Sequence, residues 1–362
     1  MDDRIKVLMV GPDRSVHGGI SGVVNNYYDA GITEKVDLNY IGTMVEGSKL
    51  RKLWQAVKAY IKFLKLLPEY PIVHVNVASD SSYYRKSLFI KAAKRAGRKI
   101  VIHQHGGDFE TFYEIYKARY EIIKHQREEA KKDRIPSFRQ VLGMGDVFLV
   151  LSPKLKQFFK GILEPSKVIL FPNAVPVPDS IEKEYGKQKI LFLGRLCKEK
   201  GLRELFSVLP QLHEQFPQMR LLLGGIWEDE ELREEAAKMK EYVTDLGWLQ
   251  GEAKKDYLRI SDLFVFPTYF EGQPVSVLEA MAYQCGIVAT NVGGIPQMVE
   301  PGQTGLLIKP KDPEGLKSAL EKLLSDPELC ECLGKNARAK VQKEFSIEKS
   351  LQELIKIYQQ LV

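Results

Sequence analysis

Short apolar runs recur along the 362-residue chain, each bounded by turn residues and followed by a stretch of helical periodicity. Ile5–Val10, Ile72–Val77, Lys99–His103, Asp146–Ser152 and Val168–Pro172 predict five strands in the first half. Lys189–Leu193, Arg220–Gly225, Val243–Leu249, Leu263–Phe266 and Ile287–Thr290 predict five in the second. Helices are predicted from about Ser21, over 49–66, Arg85–Arg98, 114–139, 312–325, 327–343 and Ile347–Val362. In the last, Leu351, Leu354, Ile355, Tyr358 and Leu361 share one face. Near-continuous apolar strands alternating with helices predict an α/β fold whose parallel sheets are covered on both faces. Residues 176–188 are polar and carry two prolines, which suits a linker. The expected division is a domain over 1–173, a second over 174–344, and a terminal helix over 345–362.

The composition is that of an ordinary soluble protein, with 44% hydrophobic and 28% charged residues. No apolar run approaches the roughly 20 residues that span a bilayer. The start, MDDRIKVLMVG, is acidic and enters a strand, unlike a secretory signal. Cys197, Cys285, Cys330 and Cys332 lack zinc-like spacing and read as reduced thiols, so a cytoplasmic protein is expected. Charge changes the picture. Residues 1–170 hold 29 basic and 18 acidic side chains (29 − 18 = +11), and the remainder holds 24 and 29 (24 − 29 = −5). The first half is therefore expected to meet an anionic partner: membrane surface, lipid diphosphate or nucleic acid. In 49–66, Leu50, Leu53, Trp54, Val57, Tyr60, Ile61 and Leu64 form a stripe among Lys49, Arg51, Lys52, Lys58, Lys62 and Lys65. Such a helix can lie on an anionic membrane. The plainer expectation is a stripe packed on the sheet with a solvated basic face, and lysines can touch headgroups in that arrangement too.

Candidate chemistry concentrates in Phe266–Gly294. A strand runs into a loop with Glu271 and Gly272, a helix begins near Pro274, Glu279 lies on it, and a second strand ends in Gly293-Gly294. Ligands of open parallel sheets sit beyond the carboxyl ends of strands. Proline suits a first helical turn, and a helix start attracts anions. A carboxylate can accept two hydrogen bonds from a vicinal diol. Acids near helix starts also occur simply because they favour the dipole. Arg195 and Lys200 flank another loop between strand and helix, where a guanidinium fork and an ammonium could clamp a diphosphate or simply be solvated. Gly18 and Gly19 precede a helix, and either allow backbone to approach a phosphate or sugar or make a bare tight turn. His103 and His105 alternate on one strand face, with Asp108 beyond, as site, core or metal-binding histidines.

These motifs closely resemble the Glu-(seven residues)-Glu signature of family-4 retaining glycosyltransferases. Phe270-Glu271-Gly272, Leu278-Glu279-Ala280-Met281-Ala282, Gly293-Gly294-Ile295-Pro296 and Gly194-Arg195-Leu196 with Lys200-Gly201 all match. Phe171-Pro172-Asn173-Ala174-Val175 resembles the family's Pro-Asn-Gly-Val turn, with Ala174 in place of glycine, and Gln273-Pro274 stand where the family often has a second Gly-x pair. The resemblance covers nearly the whole chain and is strongest over 190–308. It implies the GT-B fold, two Rossmann-like domains facing across a cleft, and transfer of a sugar from a nucleotide diphosphosugar, a UDP-sugar first, with retention. Arg195 and Lys200 would bind the donor diphosphate, Glu279 the ribose diol, and Glu271 with Gly272, Gln273, Pro274 and Val275 the sugar. Leu249 would lie beside the base, Gly18 and Gly19 would face diphosphate and acceptor, and His105 would lie against the transferred sugar, so that domain closure is needed. No cofactor is implied, and with no Asp-x-Asp in the chain no obligatory metal is expected. The expected acceptor is a lipid-linked glycan in polysaccharide assembly. A soluble small acceptor, a non-catalytic partner subunit, a sugar-binding module and a nucleic-acid binder are the alternatives.

Overall fold

The computed structural model describes residues 4–79, 81–107, 109–115 and 138–362. Asp108 and most of the helix expected over 114–139 lie outside the described residues. The chain forms two compact units, Met1–Asn173 with Ile347–Val362, and Ala174–Ser346.

In the first unit β1 (Ile5–Gly11), β2 (Val36–Gly42), β3 (Ile72–Val77), β4 (Lys99–Gln104), β5 (Val147–Val150) and β6 (Val168–Leu170) form one sheet. All neighbours are parallel, in the order β2-β1-β3-β4-β5-β6. The sixth strand, β2, was not expected: its middle, Asp37-Leu38-Asn39-Tyr40, is half-buried at the sheet edge and lacks a continuous apolar run. Every residue of β3 is buried, as a strand covered on both faces requires. Its helices include α1 (Gly19–Asp29), α2 (Ile32–Lys35), α3 (Lys49–Leu66), α4 (Ser81–Arg95), α5 (Phe138–Leu142) and α6 (Pro153–Lys160).

Two expectations fail here. The basic helix starts at Ser81 rather than Arg85, because Ser81 to Tyr84, read as polar loop, form its first turn. More consequentially, most of the α3 stripe does not pack on the protein: of its seven residues only Tyr60 is half-buried against the core. Ala59 and Phe63 are the buried residues of α3, and Phe63 stacks edge-on against Phe89 of α4. Leu50, Leu53, Trp54, Val57, Ile61 and Leu64 face solvent instead.

In the second unit β7 (Lys189–Leu193), β8 (Arg220–Gly224), β9 (Val243–Gly247), β10 (Leu263–Phe266), β11 (Gly286–Thr290) and β12 (Leu306–Ile308) form a parallel sheet ordered β12-β11-β10-β7-β8-β9. The three-residue β12 was also not expected. The helices are α7 (Leu202–Gln215), α8 (Glu230–Lys238), α9 (Gly251–Ile260), α10 (Val275–Ala282), α11 (Ile295–Met298), α12 (Pro313–Ser325) and α13 (Pro327–Glu344). Asp229, Asp312 and Asp326 cap α8, α12 and α13 by accepting from first-turn amides. The proline-bearing stretch after residue 174 is anchored to this unit. Lys183 donates to the carbonyls of Leu258 and Tyr283, and the Tyr185 hydroxyl to that of Gln284.

The last helix, α14 (Ile347–Gln359), belongs to the first unit. Leu351, Leu354, Ile357 and Tyr358 are its buried face, so Ile357 takes the place expected of Ile355. The Tyr358 hydroxyl and His74 Nδ1 share a 2.6 Å hydrogen bond, and the Tyr27 and Ser350 hydroxyls one of 2.7 Å. All four cysteines are free, and three are buried. Among the described residues, no helix is long and apolar enough to cross a membrane.

Candidate active site

The second unit has a topological switch point. The chain lays down β7, adds β8 and β9 on one side, then returns to place β10 on the other. The connections at the carboxyl ends of β7 and β10 therefore diverge, and ligands of such sheets bind in the crevice between them. Lys200 follows β7, Glu271 follows β10, and their side chains form an ion pair with each other. Both are mostly shielded, at 12% and 19% side-chain exposure. The Lys200 ammonium also lies 5.4 Å from the Phe266 ring centroid. The two loops are tied together. Tyr269 N and the Thr268 hydroxyl donate to the Glu199 carbonyl, and the Tyr269 hydroxyl bonds both Glu204 oxygens at 2.7 and 2.8 Å.

Two glycines make this apposition possible. Gly201 has φ +74°, and a Cβ there would lie 2.0 Å from the Pro267 carbonyl oxygen. Gly293 has φ +57°, and a Cβ there would lie 1.6 Å from the Glu271 carbonyl oxygen. The Gly-Gly pair after β11 therefore backs the acidic loop directly. Gly272, Gln273 and Pro274 are buried behind Glu271, and Val275 is half-buried. Pro274 is the extended N-cap of α10, one position before the first turn where it was expected. No side chain caps this helix start.

The other predicted groups have separate partners. Arg195 is exposed and pairs with exposed Glu228 at 2.9 Å, while Lys200 pairs with Glu271, so the two cations are not shown as one clamp. Glu279 is 13% exposed and accepts from Lys254 of α9 at 2.5 Å. Lys254 carries no motif, and sequence reasoning passed over it. Leu249 lies two residues beyond β9, half-buried, with its side chain over Gly224 at the end of β8.

In the first unit, Gly18 and Gly19 are exposed, and a Cβ on either would meet nothing within 4 Å. These two glycines answer no packing demand of the protein itself. His105 follows β4 and extends the ladder by one bond, from its N–H to the Val77 carbonyl. Its Nε2 lies 2.9 Å from Asn76 Oδ1, and the Asn76 amide nitrogen donates to the Val10 carbonyl. The amide oxygen thus faces the ring, which places the proton on Nε2 and leaves the Nδ1 lone pair free to accept. Burial, and secondly the nearby Lys86 ammonium, hold the His105 pKa down at about 3, so the ring is neutral at physiological pH. Lys86 is the second group that sequence reasoning missed. It lies buried in α4 and donates to the Thr43 hydroxyl at 2.6 Å, beside the carboxyl ends of β1 and β2. The signal available was only a basic residue inside a basic helix.

The two doubly covered parallel sheets define the class: the chain has the α/β GT-B fold of glycosyltransferases. Residues 177–340 match the family "Glycosyl transferases group 1", so this part of the chain is of that type. A putative teichuronic acid biosynthesis glycosyltransferase of Bacillus subtilis is 25% identical over 325 residues, 85% of this chain and 75% of that one. An uncharacterized glycosyltransferase of Methanocaldococcus jannaschii is 25% identical over 59% of this chain and 55% of its own. The chain spans about half the length of several of the relatives that it matches. HepE of Anabaena, solved with UDP-glucose, superposes with a TM-score of 0.76 over 98% of this chain and 100% of its own at 15% identity.

Proposed function

We propose that this protein is a retaining glycosyltransferase. It moves a sugar from a nucleotide diphosphosugar, in the first instance a UDP-sugar, to a hydroxyl of a lipid-linked glycan in polysaccharide assembly. The observation that carries this reading is the shielded Lys200–Glu271 pair across the switch point of the second unit. A fixed ammonium and a fixed carboxylate side by side suit a ligand with a diphosphate next to a ring of hydroxyls. The group 1 match over the same residues and the UDP-glucose held by HepE support the donor class. The teichuronic acid relative supports a polysaccharide product.

In this reading the anomeric carbon–oxygen bond to the diphosphate breaks as the acceptor oxygen bonds to the same face of the sugar. The departing diphosphate takes the acceptor's proton. Lys200, the uncapped α10 start and Arg195 stabilise the charge that builds on the leaving group. Arg195 must leave Glu228 for this, which costs little because an exposed pair is worth about 0–1 kcal/mol. Glu271 orients sugar hydroxyls, Glu279 with Lys254 holds the ribose diol, and Leu249 borders the base. Neutral His105 accepts a sugar hydroxyl at Nδ1, and the space beside Gly18 and Gly19 receives diphosphate and acceptor. No metal has a role, so chelation should leave the rate unchanged.

The test is UDP release from UDP-sugars, with the anomeric linkage of the product read by NMR. Transfer with retention, reduced by Lys200→Ala, supports the reading. Inversion would overturn the mechanism. Release of no nucleotide from UDP-, GDP- or ADP-sugars would overturn the activity and favour a binding role.

A further inference from the structure

Helices α3 and α4 of the first unit make a surface that the transfer chemistry does not use. They pack together through Tyr60, Phe63 and Phe89, whose rings meet at 4.9–5.3 Å. Across their 33 residues (18 + 15) there are eleven basic side chains, six in α3 and five in α4, and no acid; of these Lys86 is buried, which leaves ten for the surface. The whole chain has nearly as many acids as bases, 47 against 53. The surface is therefore a segregated cationic face rather than a mixed solvated one.

The same face is apolar. Leu50, Leu53, Trp54, Val57, Ile61 and Leu64 recur at i, i+3, i+4, i+7, i+11 and i+14, so they share one side of α3. The buried Ala59 and Phe63 lie on another side. Leu50 is 73% exposed, Trp54 64% and Leu53 62%. On α4, Tyr84 and Leu88 are also about half exposed, at 51% and 53%. Isolated exposed leucines need no explanation, but a periodic stripe of six beside two more marks an interaction surface. Arg51, Lys58, Lys62 and Lys65 border the stripe on one side. The helices begin just beyond the carboxyl ends of β2 and β3, the edge of the sheet that also holds His105. Leu50, Leu53 and Trp54 in α3 and Tyr84 and Leu88 in α4 fall in the N-terminal halves of their helices, nearest that edge.

We propose that α3 and the start of α4 form a docking face for an anionic lipid bilayer, with Leu50, Leu53, Trp54, Tyr84 and Leu88 entering the headgroup–acyl boundary. The lysines and arginines bind the surrounding headgroup phosphates. Charge complementarity selects this occupant: a protein partner would need a compensating acidic, apolar surface, whereas an anionic bilayer supplies both terms along the whole stripe. The proposal gives a physical form to the lipid-linked acceptor in the reading above, but it can be tested without it.

The test is co-sedimentation with vesicles of phosphatidylcholine alone and with a third phosphatidylglycerol, for the wild type, Leu53→Glu/Trp54→Glu and Lys58→Glu/Lys62→Glu. The changed side chains are exposed, and an unchanged melting curve and unchanged UDP-sugar hydrolysis identify a folded, active variant. The wild type should bind the anionic vesicles, and bind phosphatidylcholine vesicles at least tenfold less. Each double variant should lose at least tenfold on the anionic vesicles, and high salt should weaken binding. Failure of the wild type to sediment, or equal binding by the apolar variant, would overturn the proposal. A dimer in light scattering that Leu53→Glu/Trp54→Glu dissociates would overturn it in favour of a second copy of the chain. Vesicle binding without sugar transfer would leave this face standing and the transferase reading fallen, and the converse result would separate them the other way.

Discussion

Lys200 sits in the switch-point crevice opposite Glu271, and its charge is compensated by that carboxylate alone among the described ion pairs. Its removal should cost more than that of Arg195, which is exposed and engaged elsewhere. For Lys200→Ala, steady-state kinetics should show kcat lowered about 10²- to 10³-fold, the range for losing one preorganised charge-stabilising group. A fall below tenfold would remove Lys200 from the chemistry. Gly18 and Gly293 make opposite predictions from similar motifs. A Cβ at 293 collides with the Glu271 carbonyl, in a backbone conformation that side chains rarely adopt. Gly293→Ala should therefore lower both thermal stability and activity. A Cβ at 18 meets no protein atom, and its backbone is ordinary extended chain. Gly18→Ala should melt with the wild type yet lose activity if diphosphate or acceptor occupies that space. Unchanged kinetics would make Gly18 part of a bare turn.

At the level of elements, the sequence is legible wherever one strand or helix carries a complete local signal. The motif around Glu271 fell on strand, loop and helix as expected, because its proline, glycines and apolar runs each act locally. Elements that depend on neighbours were lost. β2 is half-polar because it lies at an edge, and β12 is three residues long, so neither carries a strand's usual run. The α3 pattern announced a helix but not which side would be covered. Periodicity reports that apolar residues are aligned, and only packing decides what lies over them. The partners of Glu271, Glu279 and His105, namely Lys200, Lys254 and Asn76, are far apart in sequence, and only Lys200 belonged to a motif. α14 gives a prediction at this scale. Tyr358→Phe removes the hydroxyl shared with buried His74 and should cost about 1–3 kcal/mol in denaturant unfolding, as expected for leaving a buried polar group unpaired. No measurable change would mean that packing alone holds the helix.

For the whole molecule, the uneven charge and the buried histidines set the conditions under which it works. His74 and His105 are held at about 3, and His103 is pushed well down, in each case first by burial. The unfolded chain takes up a proton at each near pH 6.5, and the folded chain refuses it. These depressed values contribute stability that is fully present above pH 6.5 and lost as pH falls towards 3. Below pH 6.5 each deeply buried histidine should cost about 1.4 kcal/mol per pH unit. The melting temperature should therefore drop steeply between pH 6.5 and 4.5, and a flat profile would show these rings protonating without penalty. Activity at neutral pH should not report a histidine titration, because His105 is already neutral there.

The central claim is that the switch point of the second unit receives a nucleotide diphosphosugar. Calorimetric titration of UDP, GDP and ADP into the wild type, Lys200→Ala and Glu279→Ala tests it most directly. The account predicts that one nucleoside diphosphate, UDP in the first instance, binds the wild type, and that each substitution weakens it at least tenfold while the fold is kept. If no nucleotide binds at millimolar concentration, or if both variants bind as the wild type does, the crevice between β7 and β10 is not the donor site.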